Sequence, residues 1–199
     1  NLSEFGHVAK SGKTLRQALT PLLADVKDGR LVSRLTKTLN LVKNADTTST
    51  RGNRQVGIGI ATTEGQNAIK AFDFNQNAQL DSILLTDVVL DTATGGVLIS
   101  NLNPLQQINA PSGATHVSFT SAALNLNFQT GEKELVMSTE VNNPLNSTVV
   151  DINPIPASVP TGTGQTYFLL KLAFYQEING TQYALNNGAY NVMQILEIQ

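Results

Sequence analysis

The sequence predicts a mainly β protein, an antiparallel β-sandwich of the immunoglobulin-like or jelly-roll-like kind, preceded by an N-terminal helical arm of two helices. Leucines recur at helical spacing up to about residue 42, and short strand-like runs with turn signals follow from residue 56 onward. No helical pattern separates those runs, which excludes a parallel βαβ fold. We therefore divide the chain into a helical basic arm with its linker, residues 1–55, and a sandwich, residues 56–199.

Two apolar stripes predict the helices of the arm. The first stripe consists of Leu15, Leu19, Leu22, Leu23 and Val26, and the second of Leu31, Leu35, Leu39 and Val42. Pro21 either kinks the first helix or takes the first position of a new helix capped by Thr20. Asp28-Gly29 predicts a break, and the polar run over residues 44–53 predicts a linker with little reason to be ordered on its own.

The strands are predicted from short apolar runs and their turns. VGIGIA and AIKAFDF are two short candidates; SILLTDVVLD with VLISNL, and HVSFTSAALNLNF with LVMSTEV, indicate hairpins. In HVSFTSAALNLNF the apolar residues change phase, so we expect a bulge near residues 121–123.

The last third of the chain continues this pattern after a Pro/Gly-rich loop over residues 151–165. YFLLKLAFYQEI is apolar at both alternating sets of positions, which predicts a central strand buried on both faces. Asn179-Gly180 predicts a tight hairpin into TQYAL, and AYNVMQILEIQ is the final strand.

Composition limits the possible functions. Of the 199 residues, 41% are hydrophobic and only 14% are charged, with much Asn, Thr, Gln and Ser, which favours a β-rich protein that works outside the cytoplasm or packs into an assembly. Cysteine is absent, which excludes disulfides, thiolate metal sites and a Cys nucleophile. Because the chain begins with Asn, we expect that an upstream segment, such as a leader, has been removed or lies outside this sequence.

Charge is divided unevenly along the chain. Residues 1–56 hold ten basic and four acidic side chains, a net charge of +6, whereas residues 57–199 have a net charge of −8. We expect the basic arm to dock on the acidic body of a neighbouring copy, since opposite charge guides docking and sets register. The expected interface residues are Lys10, Lys13, Arg16, Arg30 and Arg34, with Arg51 and Arg54 anchoring the linker.

The stretch GHVAKSGKT nearly matches a phosphate-binding loop. Such a loop needs four residues between its first glycine and Gly-Lys-Ser/Thr, but here five residues separate Gly6 from Gly12, and no strand–loop–helix context surrounds them. We interpret the stretch as the start of a helix and not as a nucleotide site.

Other candidate chemistry is sparse, and we predict no catalytic residue, metal site or cofactor. His7 and His116 each stand alone and are interpreted as a helix-start residue and a strand-end residue. Asp81, Asp87 and Asp91 are interpreted as solvated carboxylates, without the repeated acids of a calcium loop. The tyrosines, which would be the aromatic platforms of a glycan site, are expected to pack within the sheets: Tyr167, Tyr175, Tyr183 and Tyr190.

The runs SEFGHVAKSGKTLRQALTPLL, DGRLVSRLTKTLNLVK and FYQEINGTQYALNNGAYNVMQILEI resemble those of an uncharacterised family of bacterial proteins. FDFNQNAQL and APSGATH are similar as well. No activity is established for that family, so the resemblance implies no site residues. It does imply that GKT is a recurring helical element, in agreement with the spacing argument.

These observations predict a non-enzymatic structural subunit that self-assembles into an extracellular filament or virion-like particle through arm-to-body contacts. The alternative is a secreted β-sandwich module that binds a glycan or a protein partner. The expected partners are copies of the chain itself, located outside the cell or at its surface. We do not expect a membrane span, because no apolar run approaches the roughly 18 residues that a span needs. We do not expect a small-molecule substrate, because no set of catalytic residues is evident. We do not expect nucleic acid, because the basic arm lacks interleaved aromatic residues.

Overall fold

Antiparallel strands dominate the computed structural model, which describes residues 2–199, and confirm the β-rich fold. The strands are β1 (Val89–Asp91), β2 (Gly96–Leu102), β3 (His116–Leu126), β4 (Lys133–Met137), β5 (Val141–Pro144), β6 (Val150–Ile152), β7 (Gln165–Ile178), β8 (Thr181–Ala184) and β9 (Val192–Ile198). The helices are α1 (Leu2–Ala18), α2 (Thr20–Leu23), α3 (Leu31–Asn44), α4 (Val56–Gly59), α5 (Thr63–Ile69), α6 (Leu80–Ile83) and α7 (Pro104–Gln107). A turn that contains Leu185–Gly188, in which Asn186 and Asn187 have left-handed backbone angles, lies between β8 and β9.

The centre of the molecule is a six-stranded sheet built on the long strands β3 and β7. These two strands pair over eleven residues, β4 and β5 share the free edge of β3, and β8 and β9 share the free edge of β7. Residues 167–174 of β7 are all buried, which confirms the prediction of a central strand covered on both faces.

The prediction of a bulge near residues 121–123 of β3 is wrong. Pairing with β7 runs without interruption from His116 opposite Tyr175 to Leu126 opposite Gln165. The apolar residues change phase because the two halves of β3 contribute to different cores: Val117 and Phe119 lie in the core on one face of the sheet, and residues 122, 124 and 126 in the core on the other face.

Three predicted hairpins are confirmed. β1 pairs with β2, β3 with β4, and β7 with β8. At the β7–β8 turn, Asn179 and Gly180 have φ values of 51° and 81°, the left-handed pair that a two-residue type I′ turn requires. The first hairpin is shorter than predicted, because Leu80–Ile83 is helical and only Val89–Asp91 is extended.

Two different layers cover the two faces of the six-stranded sheet. One face packs against the small-sheet layer, which consists of the three-stranded sheet β1–β2–β6 with α6 and α7. The other face packs against the helical layer, α1 to α5. The expectation of a specifically immunoglobulin-like or jelly-roll-like sandwich stays a prediction.

The helical layer is larger than predicted, because residues 56–59 of VGIGIA form α4 and residues 63–69 form α5, which includes the first two residues of AIKAFDF. The rest of AIKAFDF belongs to none of the strands β1 to β9, although Asp73 makes an isolated bridge with Gln194 of β9. Thr62 caps α5 by accepting a hydrogen bond from the Gly65 amide at 3.0 Å. Gly59 lets α4 touch α3: a β-carbon at this position would lie 1.9 Å from the Val42 carbonyl oxygen. Gly59 therefore allows the close packing of α4 on α3.

Pro21 lies at the start of α2, but Thr20 does not cap that helix. The N-cap is Leu19, and the Thr20 hydroxyl instead donates to the Gln17 carbonyl oxygen at 2.9 Å. The break at Asp28-Gly29 is confirmed, since α3 begins at Leu31.

The predicted arm packs on its own sheet and is not detached from it. Apolar residues of α1 to α5 share one core with β3, β7 and β9 of the same chain. Lys171 of β7, which is buried, donates to the Leu22 carbonyl oxygen at 2.7 Å and forms an ion pair with Asp25. A lysine from the sheet therefore holds the C-terminal end of α2.

Candidate interaction surfaces

The seven predicted interface cations fall into two groups. Lys10, Lys13, Arg30 and Arg51 are exposed, whereas Arg16, Arg34 and Arg54 are half-buried. Arg34 and Arg54 form ion pairs with carboxylates of the same chain. The exposed group is available to a partner, whereas Arg34 and Arg54 stabilise the helical layer.

Arg34 is the centre of a cluster between α3 and the segment that follows α5. Its guanidinium donates to Asp28 Oδ2 at 2.7 Å and to the Asp73 carbonyl oxygen at 2.8 Å, and it lies 5.1 Å from the ring centre of Phe72. Burial alone would raise the pKa of Asp28, but hydrogen bonds from the Gln76 and Arg30 amides and from Arg34 lower it below its usual value.

Arg54 is held by Glu4, a buried carboxylate of α1. Glu4 accepts five hydrogen bonds: from the amides of Gly52 and Arg54, from Nε and Nη2 of Arg54, and from Lys43 Nζ. The charged bonds from Arg54 and Lys43 hold the pKa of Glu4 well below its usual range. The predicted flexible linker is thereby attached to α1.

Asp46 organises the other end of that linker. Its two carboxylate oxygens accept hydrogen bonds from the amides of Thr48, Ser49 and Gln55 at 2.9–3.0 Å. These bonds overcome the effect of burial and lower the pKa of Asp46 well below its usual range. The linker is therefore held by two buried carboxylates, Glu4 and Asp46, which bind its backbone.

All four acids in residues 2–56 are therefore engaged within the chain: Glu4, Asp25, Asp28 and Asp46. Six exposed cations of the same segment form no ion pair with any residue from 2 to 199. We call these residues the basic helical face: Lys10, Lys13, Lys27, Arg30, Lys37 and Arg51. Glu64 on α5 is an exposed carboxylate in the same layer.

The small-sheet layer has the opposite charge. It contains no Lys or Arg between residues 80 and 115 or between 141 and 164, and it exposes four carboxylates. We call these residues the acidic sheet face: Asp81, Asp87, Asp91 and Asp151. Asp91 and Asp151 accept hydrogen bonds from the amides of Ala93 and Asn101, which leaves their charges at the surface. The two outer layers of the molecule thus carry opposite charges.

The other sequence candidates, the GHVAKSGKT stretch and His116, lie within regular secondary structure. The GHVAKSGKT stretch lies entirely within α1, so it forms no phosphate-binding loop. His116 opens β3, half-buried, with its Nδ1 2.9 Å from the Thr115 hydroxyl. Within residues 2–199, no group of three or more His, Asp or Glu side chains is placed to hold a metal ion.

The tyrosines divide between the core and the surface. Tyr167 is completely buried, whereas the exposed fractions of Tyr183 and Tyr190 are 55% and 41%, so packing within the sheets does not describe all four. Binding of a glycan or protein partner by this module stays a prediction.

The sequence analysis missed the residues that join the helical layer to the rest of the chain. Glu4 meets Lys43 and Arg54 across 39 and 50 positions, and Lys171 meets Asp25 across 146. A helical or strand period reports on neighbours a few positions apart, so it contains no signal for these pairs. The one available hint was an acid, Glu4, in the first turn of a helix.

No helix within residues 2–199 has the length and apolar character needed to span a membrane. Comparison with known proteins gives no match to a family model, to a curated protein or to a solved structure. The resemblance to an uncharacterised bacterial family stays a prediction.

Proposed function

We propose that this chain is a non-enzymatic structural subunit that assembles with copies of itself, with the basic helical face of one copy docked on the acidic sheet face of the next. The supporting observation is the separation of charge between the two outer layers. Every acid of residues 2–56 is engaged internally, while six cations of that segment are exposed. In the small-sheet layer, the exposed charged side chains are all carboxylates.

In this contact the helical layer stays on its own sheet and is not transferred to the neighbouring copy. The helical layer already covers its own sheet, so the charged outer surface of that layer, and not its apolar side, is what a neighbour meets. Because the two faces lie on opposite sides of the six-stranded sheet, their docking is heterologous. Such contacts generate open filaments when the rotation does not close, and rings or shells when it does. An extracellular or cell-surface setting, where low charge and many neutral polar residues are common, is part of this proposal.

Salt is the first test. Charge-guided association between exposed groups weakens as the Debye length falls, from about 30 Å at 0.01 M to about 3 Å at 1 M salt. Sedimentation velocity at high protein concentration should show growing species in the low-salt buffer and smaller species in the high-salt buffer. A monomer at both salt concentrations would contradict the proposal.

Paired charge reversals make the test specific. One variant carries Lys13→Glu and Lys37→Glu on the basic helical face, and the other carries Asp81→Lys and Asp87→Lys on the acidic sheet face; all four positions are exposed. Each variant alone places like charges opposite one another at the reversed positions and weakens the net attraction between the faces, so each should shift strongly toward the monomer. An equimolar mixture restores opposite charges at the reversed positions and should form larger species than either variant alone.

The matched control is Glu177→Lys, a charge reversal near the C-terminal end of β7. Glu177 is exposed and belongs to neither face. Assembly of this variant should resemble that of the wild-type chain. If the mixture of reversed variants stays monomeric while each variant remains folded, the face-to-face contact is wrong.

A further inference from the structure

A cleft of about 420 Å³ opens between α1, the loop that leads into α4 and the turn between β3 and β4. His7 and Lys10 line it from α1, Arg54 and Gln55 from the loop, and Gln129 from the turn. Its size lies within the range of small-ligand pockets. Lys10 also belongs to the basic helical face, but the other residues named here do not, and the proposed assembly contact assigns no role to the cleft.

The carboxylates beside the cleft are already neutralised. Glu4, which forms part of the wall, has both oxygens occupied by its five hydrogen bonds from Arg54, Lys43 and Gly52. Asp46, behind the loop, binds backbone amides. These carboxylates fix the position of the loop and leave no free anionic group on the wall to bind a cation or to repel an anion.

His7 has a defined tautomer in this arrangement. Its Nε2 accepts the Val56 amide hydrogen at 2.9 Å, so in the neutral ring the proton is on Nδ1. Burial and the nearby Lys10 ammonium lower the pKa of His7, which favours that neutral form. With its acceptor nitrogen occupied, His7 is a hydrogen-bond donor and not a general base.

Several side-chain donors of the cleft residues have no hydrogen-bond partner among residues 2–199. They are Lys10 Nζ, Arg54 Nη1, His7 Nδ1 and the side-chain amides of Gln55 and Gln129. Lys10 and Arg54 are cationic. Donors in excess, on a wall fixed by satisfied carboxylates, are the pattern that binds an oxyanion.

We propose that this cleft binds a small oxyanion ligand, a carboxylate or phosphate monoester whose body is no larger than roughly a monosaccharide. Lys10 and the net positive charge of the Glu4–Lys43–Arg54 cluster attract the ligand, and His7 Nδ1 and the side-chain amides of Gln55 and Gln129 orient it. This binding goes beyond the proposed assembly and does not depend on it, because the ligand is a free small molecule and not the acidic face of another copy.

The experiment uses the full chain, labelled with ¹⁵N, in a buffer of constant ionic strength made up with chloride. Inorganic phosphate and citrate are titrated separately, and amide and imidazole resonances are followed by NMR. We expect saturable shifts of the Arg54 and Gln55 amides and of His7 Nδ1 with at least one probe, with a Kd of about 1 mM or tighter. Saturation by phosphate alone or by citrate alone identifies the preferred oxyanion.

Lys10→Gln should weaken this binding about tenfold, because it removes one charge-assisted hydrogen bond. Lys13→Gln is the matched control: it removes the same charge from an exposed position of the same helix that does not line the cleft, and it should change the Kd less than about twofold. Both positions are exposed, so both variants should fold.

Two results would overturn the proposal. One is the absence of saturable shifts with either probe. The other is equal weakening by Lys10→Gln and Lys13→Gln, which would indicate diffuse attraction to the basic helical face. Assembly is read separately by sedimentation, so failure of the oxyanion site and failure of the assembly contact are distinguishable.

Discussion

The two layers that cover the six-stranded sheet are stabilised by different interactions. The helical layer contains buried charges: Glu4, Lys43 and Asp46 are all less than 7% exposed. On the other side of the sheet, the small-sheet layer packs through apolar residues and neutral hydrogen bonds, such as that from the Ser121 hydroxyl to the Pro154 carbonyl oxygen at 2.9 Å.

This difference explains how a chain with a net charge of −2 comes to have two strongly charged sides. The helical layer uses its acids internally, which leaves its cations at the surface. The small-sheet layer has no cations with which its acids could pair. Surface charge is therefore a result of which charges are engaged inside, and net charge alone does not report it.

The largest expected difference between the layers is in the free energy of unfolding that is lost when a glycine is replaced by alanine. Gly59→Ala places a β-carbon 1.9 Å from the backbone oxygen of Val42, so α3 and α4 must separate. Gly96→Ala, in β2, meets side-chain atoms of Ile155 and Thr94 at 3.1 Å, and these are able to move.

We expect Gly59→Ala to lower the free energy of unfolding by about 3 kcal/mol and Gly96→Ala by no more than about 1 kcal/mol. Urea denaturation followed by circular dichroism measures both values. Equal losses in the two variants would show that the backbone contact between α3 and α4 is not a constraint specific to the helical layer.

Acid should loosen the helical layer before the rest of the molecule. The pKa values of Glu4, Asp28 and Asp46 are lowered in the folded chain, so their stabilisation is complete above the unfolded-state pKa values of about 4. It is lost progressively as pH falls below about 4 toward the lower folded-state values. Asp73 has the opposite sign, because burial raises its pKa and protonation relieves that cost.

Amide hydrogen exchange at a series of pH values below about 5, corrected for intrinsic rates, measures this difference. Protection of α1 and α3 should fall at a higher pH than protection of β3 and β7. Glu4→Gln should weaken α1 at neutral pH and reduce the remaining acid dependence. A simultaneous loss of protection in helices and strands would contradict the layered behaviour.

The smallest expected change in stability comes from removing a buried hydroxyl that has no hydrogen-bond partner. Within residues 2–199, the buried side-chain polar atoms without a partner are Tyr167 Oη and Arg16 Nε, and both residues belong to the helical side of the molecule. Burial raises the pKa of Tyr167 well above its usual range, so the hydroxyl remains neutral.

Tyr167→Phe removes the unsatisfied group without removing the ring, and we expect stabilisation of about 1 kcal/mol. Thermal unfolding compared with the wild-type chain measures it. The control is Tyr183→Phe at an exposed position, which should leave stability within about 0.5 kcal/mol. Destabilisation by Tyr167→Phe would reveal a hydrogen bond that this hydroxyl makes in solution.

Elements with local signals could be predicted from the amino-acid sequence alone. The leucine stripe of α3, the left-handed turn at Asn179-Gly180 and the doubly apolar β7 were all predictable, because periods of 3.6 and 2 and turn chemistry act over a few residues. The same reasoning mistook VGIGIA for a strand, because a short apolar run has no period that separates a buried helix from a strand.

The positions of the predicted elements, and which charged side chains remain unpaired, depend on contacts in the folded chain. The two phases of β3 were visible in the sequence, but their assignment to two cores required a layer on each face of the sheet. The basic residues of the first segment were also visible, but the engagement of Arg54 and the cleft beside His7 and Lys10 depend on Glu4 meeting residues about 50 positions away. Arg34 likewise donates to the Asp73 carbonyl oxygen across 39 positions. Contacts between residues far apart in sequence are selected by packing of the whole chain, and no local pattern encodes them.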